Sequence, residues 1–554
     1  MAGQSVSNSK GLEQRSVVSS FIFHFPNELS QSDNPLVALF KRSQKVNTYK
    51  HLLAPISGTI SRTDPNALSA AWRELFEETG LDSNKLTFSR AGQPYTFTDE
   101  SVHREWTIHP FAFQLKGTAI GSRRDSAISI DWEHEGWEWF DPSHVLRDDG
   151  FEEKGVPHLR ESLRRLWLEG EVGVNEKAGR VFRAGLERLK GDRESGSHEL
   201  TGIALGVFRE FLVQMRPAME EQNRGGTWWE VIQMAAWHIV KNGRESMGAA
   251  TLNALLAILE EMEEVWRLDS NADWKLERML TIIDHHLKGR TSRAGLLKET
   301  FASYVRENFL STTNGQKRDK LTILTLSASS TIRDSIVESF ASLDINTLEL
   351  RVLESRPLFE GMSIASSILS NFKAQCKNTP IKNKKLHVNI YTDASSAIAA
   401  ANVDIVLLGA DRISRSKGVS NKTGSLPVVL SAKHVAPNAK IVVLSELEKV
   451  NGENGLIDDE KHEDNDPHEI LKSWHNDGVK GIKVIEEAFA STVRKESCNY
   501  ELGVRNVYFE WIPLALVDAF VSGEGVLSDA RILEKARQQE ELARRYFDGI
   551  PVRY

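Results

Sequence analysis

The chain has 554 residues, too many for a single hydrophobic core, so two or three domains are expected. Its 69 basic and 77 acidic residues give a net charge of −8, which argues against a general nucleic-acid or membrane-surface binder. Two cysteines cannot build a disulfide framework, no apolar run approaches the roughly 20 residues that span a bilayer, and the first residues lack a signal-peptide core, so the cytosol is the expected location.

The first part of the chain has the pattern of a mixed sheet around one helix. Strands are predicted by the apolar runs 17–25, 36–40, 106–113 and 136–140. Asp64 is a good N-cap, Pro65 suits a first helical turn, and Gly80 suits a left-handed helix end. A helix is therefore expected from about Pro65 to Thr79. Its apolar arc contains Leu68, Ala71, Trp72, Leu75 and Phe76.

Three glutamates of this helix, Glu74, Glu77 and Glu78, recur at helical spacing. They occupy an arc apart from the apolar one, so the acidic face is expected to meet solvent. Crowded carboxylates repel one another unless a cation neutralises them, and Mg²⁺ or Mn²⁺ prefer such oxygen ligands. The pattern therefore predicts a divalent-metal site, in which Arg73 is expected to orient Glu77 one turn away.

The run RELFEETGL, which holds these residues, closely resembles the Nudix box, the loop and helix with which Nudix hydrolases hold metal and cleave nucleoside diphosphates linked to another group. Upstream the match is poorer. Gly58 is one residue out of register, and the family's first glutamate falls at Pro65, beside Asp64. The resemblance implies a Nudix α/β/α sandwich over residues 15–175, with the three glutamates as metal-binding and catalytic residues and Arg73 on the substrate side.

The rest of the chain changes character twice. The polar run GDRESGSHE, 191–199, is expected to be a linker or exposed loop, with the main domain boundary between about 170 and 200. Residues 200–310 have helical periodicity, which predicts an all-α segment. From about 320, β-rich runs alternate with helix-like ones, which predicts a parallel sheet with crossover helices. The acidic run from Asn451 to Glu469 is expected to be a surface loop.

Polar residues follow the strands of this predicted sheet, where open parallel sheets bind ligands. They are Ser327, Ser329, Ser330, Arg356, Asp393, Asp411, Arg412, Asn421 and Lys422. Hydroxyls and a helix N-terminus can hold a phosphate, an arginine can bind it through two hydrogen bonds, and an aspartate can move a proton or bind a sugar hydroxyl. The pattern predicts a pocket for a phosphorylated sugar.

This half resembles a family that includes the alpha, beta and delta subunits of translation initiation factor 2B, methylthioribose-1-phosphate isomerase and archaeal ribose-1,5-bisphosphate isomerase. The matching runs are LESRPLFEG, YTDASSAIAAANVDIVLLGADRI, NKTGSLPVVLSAKH and YFEWIPLALVDAFVSGEGVL. The resemblance implies a helical subdomain at 198–312 and a Rossmann-like parallel-sheet domain at 318–535. It adds Arg244, in NGRESMGAATLNAL, as a phosphate-contacting arginine. Together the two halves resemble a fusion found in fungi.

The resemblance leaves the activity of this half open. The family's isomerases use a cysteine and an aspartate for proton transfer. Asp411 matches the aspartate and is the expected catalytic residue, but Ser327 stands at the cysteine position. A serine hydroxyl is a weaker acid than a thiol of pKa about 8.5, so it needs an activating base. Isomerisation of a sugar phosphate, binding without turnover and a purely structural role are the three alternatives.

Two functions are compatible with the whole α/β multidomain chain. The favoured one is a Mg²⁺- or Mn²⁺-dependent Nudix-type hydrolase of a nucleoside diphosphate derivative, fused to a domain for a phosphorylated ribose. The alternative, supported by Pro65 and Ser327, is a regulatory or translation-associated metabolite-binding protein with little turnover. The expected ligands are nucleotides and phosphorylated sugars. The resemblance and the apolar run YFEWIPLALVDAF also predict a homodimer through the C-terminal domain.

Overall fold

The computed structural model describes residues 12–25, 35–116, 128–171, 174–221, 227–268, 270–310, 318–378, 383–452, 456–457, 465–494 and 499–553. The N-terminal part is an eight-stranded sheet with helices packed on both faces. Its elements are β1 Glu13–His24, β2 Leu36–Arg42, β3 Leu53–Ala54, β4 Ile56–Thr59, α1 Ala67–Thr79, β5 Leu86–Ala91, β6 Tyr95–Asp99, β7 Arg104–Leu115, β8 His134–Phe140, α2 Pro142–Arg147, α3 Gly150–Lys154 and α4 Leu159–Arg164.

The sheet is mixed, as predicted. Its order is β3-β2-β1-β7-β5, with β4 on β1, β6 on β7 and β8 on β2. β1 and β7 are parallel, whereas β4 and β6 pair antiparallel to them. One row across the sheet contains Thr59 of β4, Val17 of β1, Ile108 of β7 and Tyr95 of β6. This register places β4 three strands away from β6.

Helix α1 begins two residues later than predicted. Its N-cap is Asn66, whose Oδ1 accepts a hydrogen bond from Ser69 N at 2.9 Å. Asp64 does not cap the helix; its two carboxylate oxygens instead bind the Arg73 guanidinium. The predicted end is confirmed, since Gly80 has a φ of 66° and its N–H donates to a carbonyl of the last turn.

The buried face of α1 differs from the predicted arc at two positions. Phe76, expected on the apolar arc, is 59 % exposed, whereas Glu78, expected in solvent, is 4 % exposed. Glu78 follows the buried Ala71 by seven residues, so the two side chains point in nearly the same direction. The acidic face is therefore divided between solvent and the core.

An all-α segment follows, as predicted. Its helices are α5 Glu176–Gly191, α6 Ser197–Glu221, α7 Thr227–Asn242, α8 Ala249–Arg267 and α9 Ala272–Val305. The run 191–199 is a short connection between α5 and α6, not a linker between separate bodies. The rings of Phe182 in α5 and Phe211 in α6 lie 5.0 Å apart, in a core that is continuous with the one beneath α1. The helical segment therefore packs directly on the N-terminal sheet.

The C-terminal part is a seven-stranded sheet of order β11-β10-β9-β12-β15-β18-β19, parallel except for β19, with a small sheet β16-β13-β14-β17 beside it. This confirms the predicted parallel sheet with crossover helices. The elements are β9 Lys320–Thr325, α10 Ser330–Ser342, β10 Thr347–Leu353, α11 Glu360–Asn378, β11 Lys385–Tyr391, α12 Ser396–Ala400, β12 Ile405–Leu408, β13 Arg412–Ser414, β14 Gly418–Lys422, α13 Ser425–Val435, β15 Lys440–Leu444, β16 Val450–Asn451, α14 Pro467–Asn476, α15 Ile482–Val493, β17 Phe509–Ile512, β18 Ala519–Ser522, β19 Gly525–Leu527 and α16 Asp529–Ala543.

Two expectations for this part need correction. The run Asn451–Glu469 is not all loop, because α14 begins at Pro467; residues 453–455 and 458–464 lie outside the described residues. The apolar run YFEWIPLALVDAF is divided between β17 in the small sheet and β18 in the large one, and Ile512 and Phe520 are buried within the chain. Its length therefore does not by itself require a partner. None of the described helices is both long and apolar enough to cross a membrane.

The segment after α16 returns to the N-terminal sheet. Arg165 Nη2 donates to Ile550 O at 3.1 Å, and Val552 packs with Tyr95 and Phe97 of β6. Both halves of the chain thus share buried contacts.

Candidate functional site

The acidic face of α1 is organised around Arg73. Its Nη1 donates to Glu74 Oε1 at 2.7 Å and to Glu77 Oε2 at 3.1 Å. Its Nη2 donates to Asp64 Oδ2 at 2.9 Å, and this guanidinium lowers the pKa of Asp64. The i,i+4 contact predicted between Arg73 and Glu77 is present. The Arg73 guanidinium thus lies between Glu74 and Glu77, two of the three glutamates that the sequence predicts as metal ligands.

Glu78 points away from Arg73 towards the sheet. Its Oε2 lies 2.6 Å from His134 Nε2, and both side chains are almost completely buried. Burial, with repulsion from Glu133 and Glu74, raises the pKa of Glu78 to about 9. Burial lowers the pKa of His134 to about 4. Near neutral pH the pair is therefore a protonated carboxyl group that donates to a neutral imidazole.

Glu133 is an acidic residue of this site that the sequence reasoning missed. It stands outside any recognisable motif, immediately before β8. Burial, with repulsion from Asp131, raises the pKa of Glu133, and burial also raises the pKa of Glu74. Repulsion from Glu133 acts on both Glu74 and Glu78. The loop before β8 therefore adds a third carboxyl to the field around the two buried glutamates of α1.

Over the described ranges, no three His, Cys, Asp or Glu side chains converge into a metal-ligand cluster. The donor chemistry nevertheless fits Mg²⁺ or Mn²⁺, because Glu74, Glu78 and Glu133 offer carboxylate oxygens whose mutual repulsion a divalent cation would offset. A Cβ at Gly58 would lie 1.9 Å from Glu74 Cδ, so glycine at this position lets the Glu74 carboxyl lie across β4. Metal binding by Glu74, Glu77 and Glu78 stays a prediction.

A cavity of about 380 Å³ adjoins these carboxyl groups. Gly58, Thr59 and Glu133 contribute to its lining on the side of α1. Arg42 also lines the cavity, and its guanidinium is within electrostatic reach of Glu133 and Glu78. A substrate in this cavity would meet the Glu133 carboxyl and the Arg42 cation together, which suits hydrolysis of a phosphate ester or anhydride.

A second pocket lies at the carboxyl ends of the parallel strands. It brings together seven of the residues predicted from the sequence: Arg244, Ser327, Ser329, Ser330, Asp411, Asn421 and Lys422. The connection between α5 and α6 closes one side with residues 193–198. Arg244 Nη1 donates to Asp192 O at 2.7 Å, which holds this arginine against the connection. The polar run that resembled a linker is thus part of the pocket wall.

Ser327 and Lys422 meet at Glu360, the first residue of α11. Ser327 Oγ donates to Glu360 Oε2 at 3.2 Å, and Lys422 Nζ lies 3.0 Å from Glu360 Oε1. Ser327 has a φ of 71°, in the left-handed region that non-glycine residues seldom adopt. Glu360 was within a motif quoted from the sequence, yet only the fold shows that its carboxyl is shared by these two side chains.

Asp411 forms the buried floor of this pocket. Its side chain is buried, and this burial raises the pKa of Asp411 although Lys449 and Lys422 oppose the effect. Lys449 Nζ donates to the carbonyl of Ala410, next to Asp411, and no sequence motif indicated this lysine. Ser329 is the N-cap of α10, and Asn421 Nδ2 donates to Ser425 Oγ at 2.9 Å. The pocket therefore combines several cations with one buried carboxyl.

Three predicted residues lie outside the lining of this pocket. Arg412, the first residue of β13, is buried, and its guanidinium lies 5.2 Å from the centroid of the Trp511 ring. Arg356 is held by Glu354 at 3.1 Å and by Asp477 at 3.0 Å, on the other side of the Glu360–Lys422 ion pair. Asp393 accepts hydrogen bonds from Ser355 N and Arg356 N, both at 2.9 Å, so it fixes the turn after β10. In this conformation neither Arg356 nor Asp393 reaches the space between Asp411 and Ser329.

The fold and the two sites define a two-part α/β protein, a mixed-sheet domain with an acidic helix joined to a parallel-sheet domain with a cationic pocket. Residues 27–166 match the NUDIX domain, and residues 251–529 match the Initiation factor 2 subunit family. The second match covers just over half of the 554 residues, and the chain belongs to the Initiation factor 2 subunit family, with a NUDIX domain before that region.

Individual relatives are more distant. Methylthioribose-1-phosphate isomerase of Xylella fastidiosa (strain 9a5c) is 26 % identical over 144 residues, which are 26 % of this chain and 35 % of that protein. The enzyme of the same name from Verticillium alfalfae is 28 % identical over 160 residues, 26 % of this chain and 37 % of that protein. The chain thus spans about a third of the length of these curated relatives.

Two solved structures are also similar to this chain, at low identity. The Pyrococcus horikoshii OT3 translation initiation factor eIF-2B is 17 % identical with a TM-score of 0.42, over 64 % of this chain and 98 % of that one. The eIF2B-beta2-delta2 complex of C. thermophilum gives 11 % identity and a TM-score of 0.43, over 68 % of this chain and 98 % of that one.

Proposed function

We propose that this protein is a metal-dependent Nudix-type hydrolase of a nucleoside diphosphate derivative. The observation that carries the proposal is the set of three carboxyl groups near the cavity next to β4. Burial raises the pKa of Glu74, Glu78 and Glu133, and repulsion from Glu133 adds to this effect at Glu74 and Glu78. Glu74 and Glu78 belong to the NUDIX-domain match, which supports a pyrophosphohydrolase. Mg²⁺ or Mn²⁺, when bound, would polarise the diphosphate and acidify a water.

The chain's own groups supply the remaining parts. Arg73 holds Glu74 and Glu77 in place, and His134 fixes the Glu78 carboxyl by a hydrogen bond. Arg42 offers a positive charge to a diphosphate in the same cavity. The test is incubation of the full chain with a panel of nucleoside diphosphate sugars, with Mg²⁺ and with EDTA. Hydrolysis is expected with Mg²⁺ but not with EDTA. Turnover that persists in EDTA, or no turnover in either condition, would contradict the proposal.

We further propose that the second pocket binds a phosphorylated ribose. Arg244, Lys422 and Lys449 surround it with positive charge, and the N-cap Ser329 places the start of α10 at its edge, where a phosphate is stabilised. The pocket has a volume of about 70 Å³, and the largely exposed residues 193–196 form part of its wall. Lys422→Ala should weaken binding of ribose 5-phosphate more than Arg356→Ala, because Arg356 lies outside the lining.

Calorimetry on the full chain with ribose 5-phosphate, ribose 1,5-bisphosphate, methylthioribose 1-phosphate and AMP tests this binding. Failure of all four to bind would leave the domain as a structural or partner-binding module. Such a result, together with slow hydrolysis, would favour the alternative of a regulatory or translation-associated protein. Arg73 is ion-paired with both Glu74 and Glu77, two of the three predicted metal ligands, and this observation supports the alternative. A cytosolic location also stays a prediction.

Isomerisation is a second candidate activity of this pocket. A serine needs a base to act as an acid–base group, and Glu360 is a carboxylate 3.2 Å from Ser327 Oγ. Burial raises the pKa of Asp411, which favours its protonated form and so suits a group that accepts and returns a proton. NMR of the same sugar phosphates incubated with the protein would show conversion of aldose to ketose. Binding without conversion would leave the pocket as a ligand site.

A further inference from the structure

The cavity beside β4 has an aromatic side as well as an acidic one. Tyr95 and Phe97 of β6 and Trp106 of β7 line it together with Tyr49. The register places Trp106 opposite Phe97, two residues from the row that joins Thr59 to Tyr95. β7, the strand that carries Trp106, lies two strand spacings of about 4.8 Å from β4, which is roughly 10 Å. This is the scale of a nucleotide rather than of a phosphate alone.

The aromatic side is held in place before any ligand arrives. Tyr49 Oη donates to Asp99 Oδ2 at 2.7 Å, and the rings of Tyr49 and Trp106 lie 6.5 Å apart. The Arg104 guanidinium lies 5.3 Å from the centroid of the Trp106 ring and also donates to Glu13 at 3.0 Å. Rings that are already fixed lose little entropy when a planar group stacks on them.

Arg42 connects the two sides of the cavity. Its Nε donates to Thr48 O at 3.2 Å, next to Tyr49, while its charge acts on Glu133 and Glu78. The cavity lining therefore contains the Glu133 carboxyl, the Arg42 guanidinium and the aromatic rings, with Arg42 between the other two. A nucleoside diphosphate has a matching order of reacting phosphate, further phosphate and planar base.

We propose that the Trp106–Tyr49 pair is the base-stacking platform of this cavity and that Arg42 binds the diphosphate. The proposal rests on the proposed hydrolase function and assigns its specificity to the base. Base–aromatic stacking of this kind contributes to the affinity of each ligand that carries a base and nothing to ligands without one. The platform therefore distinguishes nucleoside diphosphate derivatives from base-free diphosphates.

The test compares ADP-ribose with 5-phosphoribosyl 1-diphosphate, which has a diphosphate but no base. Binding to the full chain is measured by calorimetry in Ca²⁺, under conditions in which chromatography detects no hydrolysis. Trp106→Leu keeps apolar volume but removes the ring. It should weaken the binding of ADP-ribose about tenfold and leave the affinity for the base-free ligand unchanged. Trp106→Phe should restore most of the affinity, and Arg42→Gln should weaken both ligands.

The matched control is Trp274→Leu, because Trp274 is a partly exposed tryptophan on α9, outside the cavity lining. It should change neither affinity. Absence of ADP-ribose binding by the wild-type protein would refute the platform. A Trp106→Leu variant whose affinity for the two ligands falls equally, or does not fall for either, would also refute it. Binding of ADP-ribose without hydrolysis in Mg²⁺ would contradict the proposed hydrolase while supporting the platform.

Discussion

The side-chain amide of Asn242, at the end of α7, pairs with both backbone polar atoms of Ala91 in the edge strand β5. Asn242 Oδ1 accepts from Ala91 N at 2.8 Å, and Asn242 Nδ2 donates to Ala91 O at 2.9 Å. Asn242 precedes the pocket residue Arg244 by two positions, so this pairing ties the N-terminal sheet to the wall of the second pocket.

Replacement of Asn242 by Ala should destabilise the whole chain. The substitution leaves the buried N–H and C=O of Ala91 without these partners, and each such group costs about 1–3 kcal/mol. We expect a loss of roughly 2–4 kcal/mol in the free energy of unfolding, measured by urea denaturation. Asn84→Ala, which removes an exposed amide in the same sheet domain, is the control. Equal midpoints for the two variants would show that the pairing contributes nothing.

His238 gives this junction a pH dependence. It is fully buried, its Nδ1 lies 2.7 Å from Asn242 Nδ2, and burial together with Arg90 lowers the pKa of His238 well below its usual 6.5. Below pH 6.5 the unfolded chain takes up a proton at His238 that the folded chain does not, so the free energy of unfolding falls as pH decreases, by up to about 1.4 kcal/mol per pH unit.

The neutral variant His238→Gln removes this dependence. It should be less stable than wild type at pH 7.5, and the difference in unfolding free energy should shrink as the pH is lowered from about 6.5 to 5.5. Urea denaturation of both proteins at several pH values measures it. A difference that stays constant would place the acid sensitivity in other groups.

Glu78→Gln should separate catalysis from stability. In the metal-free protein the Glu78 carboxyl is already neutral near pH 7, since its pKa is about 9, and a glutamine amide can also donate to His134. The unfolding free energy is therefore expected to change by no more than about 1 kcal/mol. Metal-dependent turnover should fall by about 100-fold or more, because the variant lacks an anionic metal ligand.

The control for this experiment is Glu153→Gln, an exposed glutamate of α3 in the same domain. It should leave both stability and turnover unchanged. Unchanged hydrolysis in Glu78→Gln and also in Glu77→Gln would remove Glu77 and Glu78 from the mechanism.

The sequence predicts a dimer through the C-terminal domain, and the edge of this domain's sheet and the neighbouring α12 offer apolar surface. Ile390 on β11 is 44 % exposed and Ile398 on α12 is 69 % exposed. Sedimentation at micromolar concentration should give a dimer, and Ile398→Asp should shift it towards monomer because a charge is costly in an apolar interface. A wild-type protein that sediments as a strict monomer contradicts this expectation.

The sequence pattern was sufficient to predict long strands in both sheets. Runs such as 17–25 and 321–326 are apolar enough to identify strands without knowledge of their neighbours, and Gly80 marks a helix end because of its backbone freedom. The short strands β3 and β4 were not predicted, because two to four residues carry no periodicity of their own. Their positions depend on pairing with β2 and β1.

The amino-acid sequence alone identified most of the side chains that carry chemistry, but the tertiary structure decided how they are grouped. The motif around Arg73 identified three glutamates, whereas packing against β8 buried Glu78 beside His134 and added Glu133. The strand ends identified Ser327 and Asp411, whereas the Glu360–Lys422 ion pair separated Arg356 from them. Local patterns fix the chemical type of a residue, but contacts between distant segments depend on the global path of the chain.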